Sequence, residues 1–227
     1  MKMRPTLAAF ALAVAAHLSA PPAVRACLNG VELETEERAM LLSSADAKLQ
    51  GGNFGAAAQQ VLTKYGNIRS LSLAPRSQDH LQARALRIFA LAIVRSGGKA
   101  SFGEAQAWAP SGNLEWAVAT LRELVVWKQL QTVGNALARR TAPAESPDLM
   151  ADLGEALAAL SHTRAEGKRI LADLARRDLL GSAYAYRALA RLLSDEGEAA
   201  ATSAALEKCK VRTRRSDLCR LSPTTKS

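Results

Sequence analysis

Apolar positions recur along this chain at helical spacing, broken by short polar and glycine-containing stops. In "ETEERAMLLSSADAKLQ" Leu42, Ala45 and Leu49 share one face. Thr35 stands where an N-cap is expected, with Glu36 and Glu37 beside the positive end of the helix dipole. Gly51 and Gly52 then interrupt the pattern. From there Phe54, Ala57, Ala58, Val61, Leu62 and Tyr65 follow the i, i+3, i+4, i+7, i+8, i+11 order of a buried stripe, which Gly66 and Asn67 end. The spacing predicts two helices joined by a tight glycine turn.

The same punctuation divides the remainder. Asp79 can cap "HLQARALRIFALAIVRS", where Leu81, Ala85, Ile88, Phe89 and Ala92 form a face that Leu86, Ala90 and Ile93 widen, so deep burial is expected. Gly97 and Gly98 close it. An insertion, "KASFGEAQAWAPSG", carries a capping box of Ser101 and Glu104. Asn113 is expected to cap a long helix, "LEWAVATLRELVVWKQLQTVGNALARR". Ser146, Pro147 and Asp148 start another, Thr163 and Glu166 form a second capping box, Ser182 caps a further helix, and Asp195 and Glu198 open the last. The reading is all-α: eight main helices in four sequential antiparallel pairs. Aromatics at only 4% of residues, and few stretches of alternating apolar and polar residues, support it.

Three of the four pairs share a spacing after the turn. Gly52 is followed by Phe54, Ala57 and Val61; Gly112 by Leu114, Ala117 and Leu121; Gly197 by Ala199, Thr202 and Leu206. Glycine lets the chain reverse, the small residue lets the second helix approach the first, and the aliphatic residue fills the groove between them. This resembles the tetratricopeptide repeat, over Glu34 to Lys210. In the third pair Gly167 would hold the small position and Leu171 the aliphatic one, without a turn glycine. Successive small positions, Ala57, Ala117, Gly167 and Thr202, lie 60, 50 and 35 residues apart, and only the last is near the family's repeat of about 34. The resemblance implies stacked hairpins forming an α-solenoid with a groove for protein or peptide partners. An irregular helical bundle is the competing architecture, because alanine-rich composition and ordinary capping also yield such spacings.

The chain begins "MKMRPTLAAFALAVAAHLSAPPAVRAC". Lys2 and Arg4 precede an apolar run, Leu7 to Leu18, too short to span a bilayer, and small residues follow at Val24 and Ala26. That order predicts a signal peptide over residues 1–26, export to a periplasm or cell envelope, and a helical domain over 27–210. Cleavage removes Lys2, Arg4 and Arg25 and no acid, lowering the formal charge from +9 to +6. Of the cysteines, Cys27 would stand directly after the cut and is a candidate for lipidation, or after ordinary cleavage is free or bridged elsewhere. Cys209 and Cys219 are expected to pair in an oxidising compartment.

Candidate chemistry is sparse. His80 and His162 sit at helix starts and turns, and no H-E-x-x-H, G-x-S-x-G or C-x-x-C motif occurs. No catalytic residue, cofactor or metal set is therefore expected. Trp108 and Trp116 are candidate partner contacts, Trp127 lying in the same region. Residues 211–227 form a basic tail with Arg212, Arg214, Arg215 and Arg220, adjoining Lys208 and Lys210. The expected function is a non-enzymatic scaffold in the bacterial cell envelope, binding proteins or peptides and no nucleic acid. Docking of the cystine-looped tail on anionic wall polymer or lipid is the alternative.

Overall fold

The computed structural model describes residues 22–74, 79–99, 109–139, 145–215 and 217–221. The expected apolar signal run and the insertion's Ser101, Glu104 and Trp108 lie outside them. The chain divides into two compact units, residues 1–41 and 42–227. Among the described residues there are eight α-helices and no strand.

In the first unit the described residues belong to helix α1 (Pro22–Gln50), which continues into the second unit. The helix runs through Thr35 rather than starting there. Without a preceding break, the Thr35 hydroxyl donates to the Val31 carbonyl one turn back, at 2.8 Å, and cannot cap. Glu34 and Arg38 pair at 2.5 Å on the same exposed surface.

The second unit starts with the buried Leu42, Ala45 and Leu49 of α1. The chain turns at Gly52, whose φ of +84° is left-handed and favours glycine. Asn53 then accepts from the Ala56 amide and caps α2 (Phe54–Leu62). Gln60 of α2 accepts from Lys48 and Ser44 of α1. Ala57, Ala58 and Val61 are fully buried, so the predicted stripe is the packed one.

Helix α3 (His80–Arg95) is capped by Asp79, which accepts from the Gln82 amide at 2.8 Å. It is buried almost without interruption from Ala83 to Val94. Burying side chains such as Phe89, Leu86 and Ile88 contributes roughly 1.5–3 kcal/mol each. Helix α4 (Pro110–Arg139) begins before Asn113, not after it. Asn113 is therefore not a cap: its buried amide donates to the Gly98 carbonyl at 2.8 Å and accepts from Arg69 at 2.7 Å. Gly112 lies inside the first turn of α4. The left-handed glycines of this pair are Gly97 and Gly98, and a Cβ on Gly98 would stand 2.5 Å from the Pro110 carbonyl oxygen.

Helices α5 (Pro147–Ala159) and α6 (Arg164–Arg176) approach through glycines. A Cβ on Gly167 would meet the Ala158 nitrogen at 2.8 Å, and one on Gly154 the Leu171 side chain at 2.9 Å. The expected capping box is absent: the Thr163 hydroxyl donates to the Leu157 carbonyl, and Glu166 pairs with Arg122 of α4 at 2.6 Å. Ser182 caps α7 (Ala183–Asp195), and Gly197 turns the chain into α8 (Ala199–Val211). Each helix from α2 to α8 packs on the next, and α5 also touches α3 and α7. The first helices of the second, third and fourth pairs therefore lie against one another, with α5 in the middle.

One contact departs from a row in which each hairpin meets only its neighbours. Phe54, at the start of α2, packs edge-on against Tyr184 of α7 with ring centroids 5.9 Å apart. Arg215 donates to the Gly51 carbonyl at 3.0 Å and to the Tyr184 hydroxyl at 3.4 Å. Cys209 and Cys219 form a disulfide that folds Leu218 and Cys219 into buried positions. The Gly51–Gly52 turn and the cystine loop thus meet.

Candidate functional site

Two acids sit one helical turn apart in the buried middle of α5, and both are answered from α3. Arg87 donates to Asp152 at 2.5 Å. Arg95 holds Glu155 with two parallel bonds, Nε to Oε1 at 3.0 Å and Nη2 to Oε2 at 3.1 Å. The Arg95 and Glu155 side chains are only 2% and 6% exposed. The Arg95 guanidinium lies over the Tyr184 ring, 4.0 Å from its centroid. Its third nitrogen, Nη1, is buried with no hydrogen-bond partner among the described residues.

Burial dominates the electrostatics here. It pushes the Glu155 carboxyl above the usual carboxylate range, against the pull of Arg95. For Arg95 burial opposes the charge, but the adjoining carboxylate outweighs it and raises the pKa. The Tyr184 phenol is raised by burial, with Arg95 and Arg215 pulling it back.

Beside this pair a cleft of about 780 Å³ opens between the C-terminal end of α3, α5 and α7. Its charged lining is Arg95, Lys99, Arg187 and Arg191 against Glu155 and Asp195. Glu155 is engaged by Arg95, and Asp195 pairs with Arg164 of α6. Arg187 and Arg191 stand one turn apart on α7, exposed, without an ion pair among the described residues. Ala158, Ala159 and Ala188 keep part of the wall low.

The sequence-derived candidates fall elsewhere. Trp116 is half-buried, edge-on to Phe89 at 5.7 Å, with the Arg69 guanidinium 4.9 Å from its ring centroid. Trp127 is buried against His80. In the basic tail Arg215 turns inward as described, and Arg212 lies 3.8 Å from Asp178. Arg214 and Arg220 are exposed. Cys27 falls within α1, at a position whose side chain is not described. Among the described residues no group of His, Cys, Asp or Glu is arranged to hold a metal ion, and no helix is long and apolar enough to cross a membrane.

No protein-family model, curated protein or solved structure matches this chain. The site therefore has to be read from its own residues. Arg95, Glu155, Arg187 and Arg191 were not singled out by sequence, although two signals exist. Asp152 and Glu155 are acids on the apolar stretch "MADLGEALAAL", and Arg187 and Arg191 repeat at i, i+4 in the alanine-rich "AYAYRALARLLS".

Proposed function

We propose that this chain is a non-catalytic binding protein of stacked helical hairpins, similar in plan to tetratricopeptide repeat proteins. It is exported to a bacterial cell envelope, where it holds a protein or peptide partner. One observation carries the reading: α3, α5 and α7, the first helices of three consecutive pairs, pack in succession and leave a cleft along them. In stacked hairpins the equivalent helices line the groove that receives partners. The contact of Phe54 with Tyr184 restricts this groove to the second, third and fourth pairs.

Docking through the basic tail has less support. Arg215 is committed to the Gly51 carbonyl and Asp217, Lys208 to Asp178, and Lys210 to Glu207. These partners leave fewer cations to face an anionic surface.

Photo-crosslinking tests the binding role. A photoreactive residue at Ala188, inside the cleft, is expected to give discrete adducts in producing cells. The same residue at Glu207, on the exposed side of α8, is expected to give none. Adducts from Glu207 and not from Ala188 would move the binding face to the C-terminal end and end the cleft reading.

A further inference from the structure

We propose that the cleft between α3, α5 and α7 is a binding site for an oxyanion, a carboxylate or phosphate group carried by the ligand, seated on Arg187 and Arg191 against the Arg95 wall. This deepens the binding role above and rests on it.

Three observations converge. The first is unbalanced charge: four cations and two acids line the cleft, and both acids are already engaged, Glu155 by Arg95 and Asp195 by Arg164. The second is geometry. Arg187 and Arg191 lie one turn apart on α7, where like charges repel, and an anion held between them reverses that repulsion. Guanidinium forks match the paired oxygens of carboxylates and phosphates. The third is Arg95 itself. Its Nε and Nη2 are used by Glu155, while Nη1 is buried, in a residue that lines the cleft, with no acceptor among the described residues. Packed over Tyr184 and only 2% exposed, the Arg95 side chain adds fixed positive charge to the wall behind the two exposed arginines.

The shape selects among anions. A cleft of about 780 Å³ accommodates a small molecule or a few residues of extended chain, and the low walls at Ala158, Ala159 and Ala188 leave room for the rest of the ligand. A flat polyanionic surface meets the exposed arginines but does not fill the cleft between the helices.

The test is calorimetric titration of the full mature chain with inorganic phosphate and, separately, with succinate, against sodium chloride at matched ionic strength. Saturable one-to-one binding of at least one probe is expected. R187Q/R191Q should weaken it at least tenfold while the variant still melts cooperatively as a folded protein, since both side chains are exposed. K208Q/R212Q, on the tail, should leave it unchanged. Binding by phosphate alone or succinate alone identifies the oxyanion. Absence of saturable binding by both probes would overturn the site, as would binding that survives R187Q/R191Q and is lost in K208Q/R212Q. Adducts from Ala188 together with silence from both probes would retire the oxyanion site while leaving the binding role standing.

Discussion

Arg95 and Glu155, from helices α3 and α5, form a two-bond ion pair in which both side chains are almost wholly removed from water. Such a pair is a poor source of net stability and a severe liability when halved. Replacing Arg95 by Met is expected to cost roughly 3–5 kcal/mol at neutral pH, because Glu155 is left buried without its cation and must either hold an unpaired charge or take up a proton. The sign with pH follows from the raised carboxyl. A group whose folded pKa lies above its unfolded value favours the fold below the unfolded value, here about 4.5, and loses that contribution as pH rises through the folded pKa. The R95M deficit should therefore shrink on acidification, as urea melts between pH 5 and 8 would show. A deficit equal at every pH would contradict the account. R95M/E155L should recover wild-type stability or exceed it.

Gly167 and Gly134 make opposite predictions for the same substitution. A Cβ at Gly167 stands 2.8 Å from the Ala158 backbone nitrogen, so Gly167→Ala must push α5 and α6 apart. A loss of about 1–3 kcal/mol is expected. Gly134 lies within α4 with nothing within 4 Å of an added Cβ. Gly134→Ala should stabilise by about 0.8–1 kcal/mol through helix propensity alone. Chemical denaturation of the two variants decides both.

How much of this was legible in advance depended on range. The first hairpin was readable because its signals are local: Leu42, Ala45 and Leu49, the Gly51–Gly52 break, and Ala57 with Val61. Gly167 as a close-approach position was also visible. The caps at Thr35 and Thr163 failed because a hydroxyl accepts or donates according to the chain before it. In both, a carbonyl from the preceding turns was within reach of the hydroxyl. The pairing of Arg95 with Glu155 was illegible, since nothing in a local pattern says which helix lies opposite a charge 60 residues away. The cleft arises from that same long-range packing and was hidden for the same reason.

The cystine between Cys209 and Cys219 closes a short loop that contains Arg215. Replacing both cysteines by serine should lower stability by about 2–3 kcal/mol, mainly by freeing the unfolded chain. Amide exchange should also quicken around Gly51 and Phe54, although neither lies near the cysteines in sequence. Unchanged exchange there would mean that Arg215 holds its place without the loop.

At Gly52, Ala substitution meets two obstacles: the left-handed backbone, and an Arg215 guanidinium nitrogen 1.6 Å from the added Cβ. The backbone contribution is about 1–2 kcal/mol. The side chain can swing away, so the second effect appears as coupling. In a double-mutant cycle, Gly52→Ala and Arg215→Ala should be clearly non-additive, and additive melting data would show that the two residues do not sense each other.

Arg215 reaches the Gly51 carbonyl across 164 positions of chain. Synthesis delivers the Gly51 bend long before the arginine that clasps it. During synthesis the turn between α1 and α2 therefore exists for a time without the side chain that fastens it, and it gains that clasp only when the cystine loop closes over it.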